Sequence, residues 1–370
     1  MKTLAIIGAS YLQLPLVQRA KEMGLRTICF AWAEGAVCKD VADKFYPISI
    51  VEKERILEIC KQEQIDGICT IASDVAAPTV AYVAEQMGLV GNSYEASLKA
   101  NNKILMRNAF AAANVPCPKY WCLTEQSPIT DNLSPLPLIV KPSDRSGSLG
   151  VVKVEKKEDL IPAIKAAQDF SFKHEAIVEQ FIEGREISVE FISYRGIHYP
   201  LQITDKVTTE APHFVEIAHH QPANLSHAQY DQIYDLTKRA LTALGVTNGA
   251  SHSEYRITED GMIYVMEIGA RMGGDFIGSD LVQLSTGYDF LRGVIEVALG
   301  TFTEPKLKEH NHSGVYFLSE ATAHLKPIIE QQSLPEIVQA EITDPELHPL
   351  TCSGDRSGYL IYKSDKKLEL

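Results

Sequence analysis

The chain has 370 residues, of which 45% are hydrophobic and 22% charged, and it carries a formal net charge of −13. This length calls for more than one domain, and the acidic balance argues against a nucleic-acid partner, which needs a basic face to neutralise phosphates. No apolar run approaches the roughly 20 residues of a membrane helix, and the seven cysteines lack a Cys-x-x-Cys pair, which fits reduced thiols in a cytoplasmic protein.

From the N-terminus, Leu4–Ile7 reads as a buried strand, Leu14–Met23 as a helix and Thr27–Ala31 as a second strand. Ile56–Gln64 is predicted helical, Gly67–Ile71 a strand and Ala77–Met87 a helix. Strands alternating with helices imply a parallel sheet covered on both faces. Gly8 follows the first strand, but the later glycines of a dinucleotide-binding turn are missing, so a plain strand-to-helix turn is expected. Trp32, Phe45 and Tyr46 are read as core.

Ala96–Ala113 is predicted as one helix, followed by a Pro-rich linker, Val115-Pro-Cys-Pro118, and a polar loop, Ser127–Pro137. Leu138–Lys141 and Val151–Val154 are short strands flanking a Gly/Ser loop, and Ala176–Glu179 and Ile187–Phe191 are two more. Ser226–Leu244 and Gln283–Leu299 read as long amphipathic helices. The last stretch holds a strand at Val315–Leu318 and a hairpin signal at Ser353–Tyr362. The domain reading is 1–95, 96–310 with a subdomain at about 115–182, and 311–370.

Glu254 and Glu267 lie in two alternating segments joined by the turn signal Glu259-Asp-Gly-Met262. Adjacent antiparallel strands would present both carboxylates on one face, which suits Mg2+ and its hard oxygen ligands; solvated surface strands would look the same. His252, two residues before Glu254, would share that face and contact phosphate or substrate, or simply pack. Lys141 ends a strand before Ser143-Asp-Arg-Ser-Gly-Ser-Leu-Gly150. Backbone N–H groups of such a loop, with Ser143, Ser146, Gly147 and Ser148, can wrap a polyphosphate; a long hairpin loop is the alternative. Ala211–Pro222 is too polar for core and is read as a substrate loop, with His219 and Gln221 orienting an acceptor or serving no role.

The order of Lys103, Lys141 with its loop, Glu179-Gln-Phe-Ile182, Glu186, Glu254 and Glu267 resembles the ATP-grasp superfamily, and the resemblance covers nearly the whole chain. It is nearest in look to the L-amino acid (dipeptide) ligase and carbamoyl phosphate synthetase-like branch. The resemblance implies a mixed α/β and α+β architecture: an N-terminal Rossmann-like parallel-sheet domain, a small lid and an antiparallel-sheet catalytic domain. It places Lys103 and Lys141 on the phosphates of ATP, and Lys206 where some members have a further nucleotide-contacting lysine. Glu179, with the backbone of Gln180, Phe181 and Ile182, falls at the adenine edge, and Glu186 on the ribose. It puts Glu254 and Glu267 on Mg2+, with Mn2+ as an alternative, Arg271 on the phosphate-bearing intermediate, and Gly273 and Gly274 beside the substrate. Many members carry Asn where this chain has Gly269, which puts a second metal ion in question. The implied activity is ATP-dependent carboxylate–amine ligation through an acyl phosphate, with Lys141, His252 and Arg271 in catalysis. A bicarbonate-using carboxylase and a non-catalytic ATP-binding module are the rivals. Small carboxylates and amines are the expected partners, with neither nucleic acid nor membrane, and a homodimer is expected.

Overall fold

The computed structural model describes residues 1–124, 126–127, 133, 135–145, 149–209 and 214–370. Its N-terminal part alternates β1 (Thr3–Ile7), α1 (Leu14–Glu22), β2 (Arg26–Ala31), β3 (Lys44–Pro47), α2 (Lys53–Glu63), β4 (Gly67–Cys69) and α3 (Ala77–Met87). The four strands form a parallel sheet in the order β3-β2-β1-β4. β1 is buried along its whole length, as a strand covered on both faces must be. At the first turn Gly8 adopts φ +100°, and a Cβ there would lie 2.9 Å from the Gln13 side chain. Gln13 fills this turn and donates through Nε2 to the carbonyl of Ile71 at 2.8 Å. Trp32 is 72% exposed and not core, because it stands one residue past the end of β2. Phe45 and Tyr46 are half-buried and pack against the core.

The predicted helix over Ala96–Ala113 is two helices, α4 (Tyr94–Asn101) and α5 (Lys103–Ala112). Asn102 takes an extended conformation between them, and its side chain accepts from the Leu105 N–H, so it caps the second helix. The cap places Lys103 in the first turn of α5.

A four-stranded antiparallel sheet follows in the order β5-β8-β6-β7, from β5 (Tyr120–Leu123), β6 (Leu138–Pro142), β7 (Val152–Val154) and β8 (Ala176–Gln180). Helix α6 (Lys157–Phe170) covers it, and Leu138, Val140, Leu160, Ile164 and Val178 form its core.

The largest sheet has eight strands in the order β13-β12-β9-β10-β11-β14-β16-β15. They are β9 (Arg185–Tyr194), β10 (Ile197–Thr208), β11 (Glu216–Gln221), β12 (Gly249–Ile257), β13 (Ile263–Gly269), β14 (His312–Leu318), β15 (Ile337–Ile342) and β16 (Gly358–Ser364). Helix α7 (His227–Leu244) and α5 pack on one face, where Ile187, Val189, Phe191, Ile203, Tyr255 and Val265 are buried. The strands from the last sixty residues extend this same sheet. The predicted helix over Gln283–Leu299 is also two, α8 (Val282–Thr286) and α9 (Phe290–Ala298). Gly287 ends the first with φ +74°, and Asp289 caps the second by accepting from the Arg292 N–H. Helix α10 (Lys326–Gln331) precedes β15.

Candidate active site

The polar face of the large sheet is built by strand alternation. Glu186, Ser188 and Glu190 on β9 stand opposite Arg256, Glu254 and His252 on β12. Glu254 in turn stands opposite Glu267 on β13, and Lys206 on β10 is next to Glu186. The sheet therefore gathers onto one face residues that lie up to 81 positions apart, and strand register does the gathering. A bulge follows the Glu254–Glu267 pair and leaves Met266 without a register partner. Bulges of this kind re-aim the side chains beside them; here the carbonyl of Met266 accepts from Arg107 Nη2 at 2.6 Å.

Each carboxylate on this face has a cation. Lys206 Nζ lies 2.7 Å from Glu254, 2.9 Å from Glu186 and 3.3 Å from Glu216. Burial alone would lower the Lys206 pKa, but Glu254, Glu186 and Glu216 raise it well above its usual value. Burial would raise the Glu254 pKa, and Lys206 and His252 hold it well below the ordinary carboxylate range. Lys103 Nζ lies 3.2 Å from Glu267 Oε1 and 2.7 Å from the carbonyl of Arg145, so it joins the large sheet to the loop after β6.

Lys141 and Glu179 face each other from β6 and β8 of the small sheet, 2.7 Å apart. The other oxygen of Glu179 accepts from Arg107 Nε at 2.6 Å. Burial would raise the Glu179 pKa, but Arg107 and Lys141 hold it at about 2. Burial lowers that of Lys141, with Arg107 and Lys103 adding to the effect and Glu179 opposing it. The carboxylate that the sequence places at an adenine edge is thus committed to two cations in the interior, 1% exposed. Of the hinge backbone that follows, the Gln180 N–H donates to Lys119 and the Phe181 N–H to Pro137, while the Ile182 carbonyl accepts from Arg256. The Phe181 ring has Lys153 Nζ at 4.5 Å and the Arg256 guanidinium at 5.4 Å.

His252 Nδ1 pairs with the fully buried Glu190, and its Nε2 lies 3.5 Å from Glu254. Burial would lower its pKa, yet the Glu190 charge and hydrogen bond raise it to about 9. Glu190 also accepts from the Gly273 N–H at 3.2 Å, and a Cβ on Gly273 would lie 2.7 Å from His252 Nδ1. Gly274 lies against Ala72 of the N-terminal part. Arg271 donates to both oxygens of Asp74, Nε at 2.7 Å and Nη2 at 2.8 Å, a bidentate pair.

Ser143 is fully buried, donating to Glu175 and accepting from Asn102. Ser146, Gly147 and Ser148 lie outside the described residues, as does 210–213 of the predicted substrate loop. Most of the rest of that segment is not a loop: Glu216–Gln221 is β11, a central strand. Gln221 is fully buried, donating to Thr204 and accepting from Ser285, so it stands apart from the cleft. His219 is 1% exposed and lies 3.7 Å from Asp275. Sequence reading missed Arg107, Asp74, Glu190 and Glu216. Arg107 lies one helical turn after Lys103, and Glu190 two strand alternations after Glu186, so both carried a periodic signal. Asp74 carried none. A cavity of about 490 Å³ adjoins the site at Glu186, Lys206 and Arg256.

Residues 134–280 match the ATP-grasp domain model. The chain carries an ATP-grasp domain. The D-alanine–D-alanine ligase of Geotalea uraniireducens is 31% identical over 197 residues, 51% of this chain and 62% of that protein. The alanine–anticapsin ligase of Bacillus subtilis is 28% identical over 263 residues, 62% of this chain and 55% of that one. The chain therefore spans little more than half the length of these curated relatives. The L-amino acid ligase of Bacillus licheniformis superposes with a TM-score of 0.80 at 22% identity, covering 99% of this chain and 94% of the other. The ATP-grasp fold thus extends over the whole chain, from the N-terminal parallel sheet to the last strands of the large one.

Glu254 and Glu267 fit a hard divalent cation. They are opposed oxygen donors on a rigid sheet, 32% and 30% exposed, with the cations Lys206 and Lys103 already at their oxygens. Among the described residues no three His, Cys, Asp or Glu side chains form a metal-ligand group. Phosphate and water oxygens would have to complete the octahedron that Mg2+ prefers.

Proposed function

We propose that this protein is an ATP-dependent ligase that joins a small carboxylate to an amine through an acyl phosphate. The observation that carries the reading is the opposed pair Glu254 and Glu267, each held by a lysine, on the strands that also carry His252 and lead to Arg271. A polyphosphate entering between the two sheets offers its oxygens to Lys103, Lys141 and Lys206, which then leave their carboxylate partners. Glu254 and Glu267 would then hold Mg2+, which would supply charge neutralisation at the phosphates. Protonated His252 and Arg271 face the negative charge that develops as the substrate carboxylate attacks the γ-phosphorus, so stabilisation is electrostatic and set in advance. The acyl phosphate needs shelter from water until the amine attacks, and closing of the small sheet as a lid provides it.

The small carboxylate and amine, ATP, Mg2+, a cytoplasmic location and a homodimer belong to the same proposal. All seven cysteines are free, which supports the location. Among the described residues no helix is long and apolar enough to cross a membrane.

The test is ADP release with Mg2+-ATP and hydroxylamine, against each of the twenty amino acids and bicarbonate separately. Hydroxamate formation with particular amino acids supports the ligase. ADP release with bicarbonate alone moves the reading to a carboxylase. Glu267→Gln and Lys141→Ala should each lower turnover by about a hundredfold or more, the scale of removing one preorganised charge partner; unchanged turnover in both would refute the assignment.

A further inference from the structure

The place where many ATP-grasp sequences carry Asn is Gly269, and here the structure gives the glycine a reason. Gly269 has no positive φ, so its backbone does not demand glycine. Space does: a Cβ on residue 269 would lie 2.7 Å from Asp74 Oδ1 and 3.1 Å from Arg271 Nε. Asp74 comes from the loop after β4, in the N-terminal sheet, and reaches 197 positions along the chain to grip Arg271. The Asp74 and Arg271 side chains are only 13% and 16% exposed.

The loop that delivers Asp74 is itself pinned. The Ala72 N–H donates to the carbonyl of Met272 at 3.1 Å, and Ile71 forms a lone parallel bridge with Met272. Gln13 holds the Ile71 carbonyl from below. Ala72 sits at φ +56°, a left-handed conformation unfavourable for an alanine, which persists only where the surroundings fix it. Two edges of the Arg271 guanidinium are thereby committed: Nε and Nη2 to Asp74, and Nη1 to the Met272 carbonyl at 3.2 Å. A guanidinium held on a planar fork has one orientation.

We propose that Asp74 is a positioning residue that fixes Arg271 toward the reacting phosphoryl group, and that Gly269 is the vacancy this clamp requires. The N-terminal domain thus completes the site, filling with a charge clamp the space beside residue 269. What Arg271 faces rests on the ligase reading; the clamp and its glycine do not.

The experiment compares wild type with Asp74→Asn, Gly269→Asn, Gly269→Ala, Asp74→Ala and Asp74→Ala/Gly269→Ala. The Arg271 Nε–H resonance is assigned by its loss in Arg271→Lys and its solvent exchange is followed by NMR. MgATP affinity is measured by calorimetry, and ADP release with an equimolar mixture of the twenty amino acids. In wild type the Nε–H exchanges slowly, and Asp74→Asn and Gly269→Asn speed it. MgATP affinity stays within about threefold, while kcat falls by roughly 10- to 100-fold with KM for ATP little changed, the signature of an interaction made in the transition state. Gly269→Ala impairs turnover in wild type but adds nothing in the Asp74→Ala background, the non-additivity of two groups competing for one space. Gly269→Asn with full turnover and a lower Mg2+ requirement would overturn the proposal, making residue 269 an empty ligand position. Should wild type release no ADP with the mixture, the clamp is judged apart from the ligase reading: exchange that quickens in both variants supports it, and unchanged exchange overturns it.

Discussion

Arg107 is fully buried, and its guanidinium closes a circuit between three elements: α5, β8 through Glu179 and the bulge of β13 through Met266. Glu179 in turn holds Lys141, so the position of the lysine proposed to meet phosphate depends on an arginine that touches no ligand in the proposed reaction. Breaking a buried ion pair by removing one partner leaves an uncompensated charge. Arg107→Met should therefore cost about 3–5 kcal/mol of stability, read as a lower denaturant midpoint at unchanged slope. A loss under about 1 kcal/mol would mean that Glu179 is adequately served by Lys141 alone. Gly273→Ala makes a second residue-scale prediction. Its methyl group would press on His252 Nδ1, so the Glu190 pair should break and the ring pKa should fall from about 9 toward 6.5, measured by NMR titration. An unmoved titration would show that the loop yields instead. Both residues were partly legible. Lys103 and Arg107 share a helix face by spacing, but the partners of Arg107 lie 72 and 159 positions away, and no local pattern points to them.

Strand β11 shows why the element reading failed where it did. Ala211–Pro222 reads as too polar for core, yet its stretch Ala218-His-His-Gln221 lies in the interior of an eight-stranded sheet. Two of its three polar side chains find hydrogen-bond partners that sequence does not announce, while His219 lies buried near Asp275 with its Nδ1 unpartnered. His220 Nδ1 meets the hydroxyl of Tyr362, and Gln221 meets Thr204 and Ser285. Buried polar groups are tolerated when hydrogen-bonded, so composition alone misassigns such strands. The two broken helices have a similar cause, since Asn102 and Asp289 are caps inside runs that otherwise keep helical periodicity. His220 also carries a pH prediction. Burial, aided by the charges of Lys367, His219 and His312, lowers its pKa from 6.5 to about 3. The unfolded chain then binds the proton and the folded one does not, so stability falls as pH drops below 6.5. At about 1.4 kcal/mol per pH unit, this group removes about 2 kcal/mol between pH 6.5 and 5. His220→Gln should flatten the stability profile over that window by this amount. A profile as steep as wild type would assign the acid sensitivity elsewhere.

The molecule as a whole brings the small sheet and the large sheet together at the candidate site, with an N-terminal sheet supporting one wall through Asp74 and Ala72. Much of this was legible: alternating strands and helices mark the parallel sheet, and opposed acidic strands mark the wall proposed to face the metal. The contribution of the N-terminal sheet to the site was not, because a contact over 197 positions leaves no periodicity to read. If the small sheet closes over ATP, a non-hydrolysable ATP analogue with Mg2+ should slow amide hydrogen exchange in β6 and β8 as well as in β12 and β13. Protection confined to β12 and β13 would argue against closure.

The central claim concerns where an oxygen atom goes. An amino acid labelled with 18O in its carboxylate is incubated with Mg2+-ATP and an amine acceptor, and the released phosphate is examined by mass spectrometry. Attack of the carboxylate on the γ-phosphorus, followed by amine attack on the carbonyl carbon, leaves one 18O in phosphate for each ADP formed. Phosphate free of label, with both heavy oxygens retained in the carboxylate while ADP accumulates, would mean that water takes the phosphoryl group, and the ligase account would be wrong.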